Sequence, residues 1–109
     1  MRAAWWARSA LRAARCGLAR GEIRDIELPT PPKLPASAAR GVAGLLRRRD
    51  HTCLEGALVR QRWLIAQGEP RAIAIGVTAP SQGFAAHAWL VGEEDPDWPI
   101  FHELTRLEP

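Results

Sequence analysis

The segment Pro29-Thr-Pro-Pro-Lys-Leu-Pro35 cannot lie in a helix, because four of its seven residues are prolines, which lack a backbone N–H and fix φ. We expect extended, polyproline-like chain that connects one helix to the next. The segment divides the sequence into an N-terminal part, residues 1–35, and a core, residues 36–109. Because 109 residues can bury a modest core but not two, both parts should belong to one compact domain.

The sequence on either side of the proline segment predicts helices. Residues 1–19 are rich in alanine and have the pattern of an amphipathic helix. Two further helices are predicted over residues 37–49 and 53–67, and the second should end at Gly68 and Pro70.

Three strands should follow the last helix. Apolar or alternating runs predict them over residues 71–78, 84–91 and 98–104. Helices followed by an antiparallel sheet make an α+β fold, in which the sheet packs on the helix that carries the second of the two cysteines.

Thr52-Cys-Leu-Glu55 has the pattern of a capping box, in which the threonine hydroxyl accepts from the glutamate N–H and the glutamate carboxylate accepts from the threonine N–H. The helix should therefore begin directly after Thr52, with Cys53 in its first turn. Free N–H groups and the positive end of the helix dipole favour a thiolate there, and a thiolate is a nucleophile. The alternative role for Cys53 is that of a small buried apolar side chain.

His87 lies in the strand predicted over residues 84–91. Alternation places Ala85, His87, Trp89 and Val91 on one face, and Phe84, Ala86, Ala88 and Leu90 on the other. Small alanines flank the imidazole, so a second side chain has room to approach it. The alternative is a core histidine with satisfied hydrogen bonds.

An imidazole that acts as a base needs a third group to orient it. If residues 92–97 form a hairpin turn, the return strand lies beside His87 and the loop length decides which residue faces it. A six-residue loop places His102 there, and a five-residue loop places Glu103 there. A carboxylate stabilises an imidazolium as a second histidine cannot, so the chemistry favours Glu103. The alternative role for Glu103 is a solvated charge at a strand end.

A helix-borne Cys-Leu-Glu, a strand-borne Ala-His-Ala-Trp and a return strand ending in a polar residue resemble the transglutaminase-like cysteine protease superfamily. Within it, residues 52–89 are similar to the leader peptidases of lasso peptide biosynthesis, the B2 proteins. The motifs that carry this likeness are Thr52-Cys-Leu-Glu-Gly-Ala-Leu58, Arg60-Gln-Arg-Trp63, Gly68-Glu-Pro-Arg71, Ile75-Gly-Val77 and Phe84-Ala-Ala-His-Ala-Trp89. Papain-like and transglutaminase-like folds have the same order of elements as the one predicted above.

The resemblance implies a cysteine protease with Cys53 as nucleophile and His87 as general base. An aspartate often follows on the next strand of the superfamily, four residues after a tryptophan. Here the residue four positions after Trp98 is His102, with Glu103 beside it. The implied reaction is removal of the leader from a ribosomally made precursor peptide, and the implied enzyme is a hydrolase that needs no cofactor.

The resemblance also implies two protein partners besides the precursor. One is a small leader-recognition protein of the B1 type, since a chain of 109 residues has little room for a leader-binding domain of its own. The other is an asparagine-synthetase-like lasso cyclase, which would use ATP. Two cysteines, Cys16 and Cys53, give no disulfide framework, so a reducing cytoplasm is the expected location.

Two other functions fit some of the same residues. An acyl transferase of the transglutaminase type would use the same Cys53–His87 pair, with an amine in place of water. A non-catalytic adaptor would bind peptide or nucleic acid through Arg47-Arg-Arg49, in a chain with a net charge of +3. That run ends a predicted helix, where arginines complement the dipole, and no nucleic-acid-binding motif accompanies it, so we expect no nucleic-acid partner.

The N-terminal helix could contact a partner or a membrane, and His51 with Cys53 could bind a metal. Trp5 and Trp6 either pack on the domain or bind a partner or a membrane surface. Arginines interrupt residues 1–19 throughout, so we expect neither a signal peptide nor a transmembrane segment. The nearest approach to a zinc motif is His51-Thr-Cys53, which lacks two further ligands, so no metal is expected.

Overall fold

The computed structural model describes residues 2–79, 81, 83 and 85–109. Within these ranges the elements, in chain order, are α1 (Arg2–Ala19), a 3-10 turn (Ala36–Ala38), α2 (Ala39–Arg48), α3 (Cys53–Ala66), β1 (Ile73–Thr78), β2 (Ala86–Leu90) and β3 (Phe101–Leu107). The fold is α+β, with an antiparallel sheet that packs on the cysteine-bearing helix α3, as the sequence predicts. Phe84, which the sequence assigns to the second strand, lies outside the described residues.

The capping box fixes the start of α3. Thr52 Oγ1 accepts from the Glu55 N–H at 3.1 Å, and Glu55 Oε1 accepts from the Thr52 N–H at 2.9 Å. Cys53 is therefore the first residue of the helix, as predicted. At the other end Gly68 adopts a φ of 80°, a left-handed conformation that glycine takes without steric cost and that stops the helix.

The sheet has the order β2-β1-β3, and both outer strands run antiparallel to β1. Ile73 pairs with Leu90 on one side and with Leu107 on the other, and all three are buried in a cluster with apolar side chains of α1 and α3. Gln61 of α3 fixes the helix to the sheet, because its Nε2 donates to the carbonyls of Arg71 at 2.9 Å and of Leu107 at 3.0 Å. α3 thus packs on the face of the sheet that carries these buried apolar side chains.

The predicted hairpin between the second and third strands is wrong. β1 lies between β2 and β3, so residues 91–100 run from one edge of the sheet to the other instead of making a tight turn. Both faces of β1 are apolar, since Ile73 and Ala74 are completely buried, and such a strand belongs in the middle of a sheet. β3 also begins later than predicted, at Phe101, beyond Pro99, which cannot donate to a strand ladder.

α1 packs on the same core as α2 and α3. Trp6 is buried, its ring lies 5.8 Å from that of Trp63, and its Nε1 donates to the Pro29 carbonyl at 2.9 Å. Gln67 of the α3 C-cap donates to a carbonyl of the same proline segment, which is thereby bonded to α1 and to the end of α3. Trp5 is 68% exposed. No helix in the described ranges is long and apolar enough to cross a membrane.

Candidate active site

Cys53 is exposed at the N-terminus of α3. The capping box that precedes it is itself supported by α1, because Arg15 Nε lies 3.4 Å from Glu55 Oε1. The box uses the N–H groups of Thr52 and Glu55 and leaves the Cys53 N–H free of it. The thiol therefore lies at the positive end of a helix dipole, beside a backbone N–H that points out of the helix end.

A cavity of about 290 Å³ connects the start of α3 with β2. Cys53 and His87 both line it, together with Trp89 and Trp98 from the sheet side. The two residues that the sequence analysis selects as nucleophile and base thus share one cavity, although 34 positions separate them in the chain. A cavity of this size is close to the lower end of the range for small-molecule and peptide side-chain sites.

His87 enters this cavity around the edge of the sheet. The predicted alternation is observed, with Ala88 and Leu90 buried against α3 and with His87 and Trp89 half-buried on the opposite face. Because β2 is an edge strand, the imidazole can still reach the cavity. Within the described residues no hydrogen bond joins the His87 ring to the Cys53 thiol, and in unliganded enzymes such bonds often tighten only when substrate is present.

Aromatic rings surround His87. The Trp98 ring meets it edge-on with centroids 4.7 Å apart, the Phe101 ring lies at 5.4 Å and the Trp89 ring stacks at 5.8 Å. Burial among them lowers the pKa of His87 from its ordinary value of 6.5, because a charged imidazolium loses hydration there. The neutral ring is therefore favoured near pH 7, and the neutral ring is the form that accepts a proton from a thiol.

Glu94 bonds to one of these rings and to the backbone after β2. It accepts hydrogen bonds from Trp89 Nε1 at 3.3 Å and from the Gly92 N–H at 2.9 Å. The hydrogen bond from its own backbone N–H is the main cause of a lowered pKa of Glu94. Desolvation acts in the opposite direction, and the Trp89 and Gly92 donors and the charge of Arg106 add to the lowering. The carboxylate is thus an acceptor that fixes the indole of Trp89 next to the His87 ring.

His51 is a cavity residue that the sequence analysis considered only as an incomplete metal ligand. Its Nδ1 lies 2.8 Å from the Arg49 carbonyl, and since a carbonyl can only accept, Nδ1 carries a proton. In the neutral ring Nε2 is then an acceptor. The ring lies over Gly56, where a Cβ would be only 2.8 Å from His51 Cδ2. A histidine two residues before Cys53 and a glycine three residues after it were the sequence signals available for this contact.

The structure does not place Glu103 or His102 against the His87 ring. Gly76 of β1 pairs with His87 of β2 on one side and with Glu103 of β3 on the other. His87 and Glu103 therefore lie in the same row across the sheet and on the same face. Two strand spacings, about 10 Å, separate them. His102 pairs with Val77, one position along β1, and so belongs to the opposite face. Neither residue lines the cavity, and the orienting role of either one stays a prediction.

The carboxylate of Glu103 has a different partner in the structure. Arg106 Nε donates to Glu103 Oε2 at 2.7 Å, and this bond raises the pKa of Arg106. Across the ranges that the structure covers, no group of three or more His, Cys, Asp or Glu side chains is arranged to hold a metal ion.

Comparison with known families matches the part of the chain that contains Cys53 and His87. The sequence profile of the transglutaminase-like superfamily matches residues 1–96, so the chain belongs to that superfamily, which includes cysteine proteases and acyl transferases. No curated protein and no solved structure matches the chain. The match includes Cys53 and His87 and ends before His102 and Glu103.

Proposed function

We propose that this protein is a cysteine endopeptidase that removes the leader from a ribosomally made lasso precursor peptide. The observation that carries the proposal is the placement of Cys53 in the first turn of a capped helix, on a cavity that His87 also lines. A thiol at a helix N-terminus and a neutral imidazole that can take its proton are the two groups that acyl transfer from a peptide requires. The likeness of residues 52–89 to leader peptidases supports the substrate class.

In the proposed reaction His87 first takes the thiol proton of Cys53, and the resulting thiolate attacks the scissile carbonyl and forms a tetrahedral adduct. The Cys53 N–H, which the capping box does not use, is placed to donate to the oxyanion. The His87 imidazolium then gives this proton to the leaving amine, the C–N bond breaks and a Cys53 thioester remains. A water molecule then hydrolyses the thioester, and His87 accepts its proton as the carboxylate product leaves.

The proposal includes two partners that the family likeness supports. A leader-recognition protein would bind the precursor and raise its effective concentration at Cys53. A lasso cyclase would close the ring on the core peptide once the leader is removed. The peptidase itself has no step that requires ATP.

Substitution of the two central residues tests the proposal. Cys53→Ala and His87→Ala should each abolish leader removal, measured by mass spectrometry on the precursor with the leader-recognition protein present, because the two groups act as a unit. Cys16→Ala is the matched control and should cleave as the wild type does, since Cys16 lies on α1 away from the cavity. Activity above a few per cent in Cys53→Ala would refute the assignment of the nucleophile.

The acyl transferase is the second candidate, because it would use the same pair. The mass of the product after incubation with an added primary amine separates the two enzymes.

Thiol reactivity separates both enzymes from a non-catalytic adaptor that binds through Arg47 to Arg49. Cys16 and Cys53 are both exposed, but Cys16 is near the C-terminus of α1, so limiting iodoacetamide should label Cys53 first. Labelling in the opposite order would contradict the argument from the helix N-terminus.

A further inference from the structure

A second cavity, of about 320 Å³, lies beside the one that contains Cys53. The two cavities share Arg60 and Glu93, whose side chains form an ion pair across the boundary between them. Arg60 belongs to α3, which lines both cavities, whereas β2 lines only the first and α2 borders the second more extensively. A ligand that extends along α3 beyond the first cavity would therefore reach the second past this ion pair.

The lining of the second cavity fits an apolar side chain. Its inner wall consists of Val42 and Trp63, each 3% exposed, and of Leu64. Four charged residues, Arg60, Glu69, Arg71 and Glu93, complete the lining, and none of them is buried. An apolar interior with a few polar groups at the entrance is the usual composition of a ligand pocket, and this volume is sufficient for one large side chain.

The geometry of α3 gives the distance from the nucleophile to this cavity. Arg60 lies seven residues after Cys53, about 10 Å along the helix axis, and Trp63 lies about 15 Å from Cys53. An extended peptide advances about 3.3 Å per residue. A substrate that runs along α3 from Cys53 would thus place the side chain of its third, fourth or fifth residue from the scissile bond at the second cavity.

We infer that the second cavity is a specificity subsite for a large apolar side chain of the peptide substrate, three to five residues from the scissile bond. This inference rests on the proposed peptidase function. It identifies Val42, Trp63 and Leu64 as residues that select substrate, and it gives the Arg60–Glu93 pair a place beside the substrate backbone. Neither part of the ion pair is deeply buried, so a substrate can replace their mutual contact at small cost.

Steady-state cleavage of peptides tests the subsite. The probes are acetylated peptides that span the precursor cleavage site, each with leucine or alanine at one position three to five residues from the scissile bond. The wild type should prefer leucine over alanine at one of these positions by about tenfold or more in kcat/KM, as expected for an apolar pocket. Equal values at all positions would overturn the inference.

A pair of helix substitutions gives the matched control. Ala43, exposed on α2, lines the second cavity, and Ala43→Leu should fill it and reduce the leucine preference toward unity. Ala66, exposed on α3, does not line it, and Ala66→Leu should keep the preference of the wild type. A preference that survives Ala43→Leu unchanged would place the selective contact elsewhere and contradict the inference.

A binding measurement separates failure of the subsite from failure of the proposed function. In Cys53→Ala, the Trp63 indole N–H resonance should shift when the leucine peptide is added and should not shift with the alanine peptide. A shift without any cleavage by the wild type would retain the subsite and reject the peptidase. Cleavage by the wild type without a selective shift would reject the subsite and retain the peptidase.

Discussion

His87 has three aromatic rings with centroids within 6 Å of its own. Burial lowers its pKa from 6.5, so its proton is lost at a lower pH than in an exposed histidine. The neutral ring then persists to more acidic pH, and the acid limb of a cleavage profile that depends on it should move in the same direction.

The prediction is that the His87 imidazole titrates below 6.5, and that Trp98→Ala moves its pKa back toward 6.5 by exposing the ring to water. An NMR titration of the histidine ring protons measures both values. The depressed pKa also has a sign in stability: the unfolded chain takes up this proton near pH 6.5 and the folded chain only at lower pH. The contribution of neutral His87 to stability is present above pH 6.5 and is lost as the pH falls through the folded pKa. An unshifted titration in the wild type would contradict the prediction.

Cys53 and His51 show what the local sequence can and cannot predict about the site. The place of Cys53 follows from four consecutive residues, because a capping box involves only contacts within one helical turn. His51 was missed, since its contact with Gly56 depends on how the chain between α2 and α3 folds back over the helix start. A pattern of residue types gives no information about that backbone path.

The strands show the same limit at the scale of elements. Alternation correctly predicts which residues of β2 face α3, because it depends only on the pleat of one strand. The order of strands depends on which strand is apolar on both faces, and β1 occupies the centre for that reason. His102 and Glu103 could lie opposite His87 only if β2 and β3 paired, and they instead lie on the far edge strand of the sheet.

The position of β3 allows an estimate of how strongly Glu103 can act on the His87 imidazolium. Glu103 shares a row and a face with His87 at about 10 Å, where a carboxylate acts on an imidazolium through its field and not through a hydrogen bond. At an effective dielectric constant between 20 and 80 this field contributes about 0.4 to 1.7 kcal/mol, and Arg106 offsets part of it.

We therefore expect Glu103→Gln to lower kcat/KM by a few-fold to about tenfold, well below the ~10⁴-fold loss for an orienting carboxylate in direct contact. His102→Ala, on the opposite face, should change it by less than about twofold. Cleavage rates normalised to folded protein by circular dichroism decide the ranking. A Glu103→Gln enzyme as fast as the wild type beside a slow His102→Ala enzyme would show that neither the row nor the face predicts function.

At the scale of the whole molecule, α1 is part of the structure that holds the site. The cluster around Trp6 and Trp63 joins α1 to α2 and α3, and a second cluster joins α1 and α3 to the sheet. Leu28 and Leu64 pack against both clusters, so apolar contacts continue from α1 to β3. Arg15 adds a polar contact from α1 to the capping box of Cys53.

Adjacent tryptophans of α1 provide the test of this arrangement. Trp6 is 6% exposed and packs on Trp63, whereas Trp5 is 68% exposed. Trp6→Ala should lower the free energy of unfolding by about 3–5 kcal/mol, because it leaves a cavity in the core and removes the donor to Pro29. Trp5→Ala should change it by no more than about 0.5 kcal/mol.

Urea denaturation followed by circular dichroism measures both changes in the free energy of unfolding. Leader removal, measured without urea at a temperature well below the unfolding transition, shows their effect on the site. Since α1 supports the start of α3 through Arg15 and through the shared core, Trp6→Ala should also reduce cleavage, and Trp5→Ala should not. If the two substitutions cost the same free energy, or if Trp6→Ala is stable and fully active, then α1 is an appendage and residues 36–109 carry the fold and the site without it.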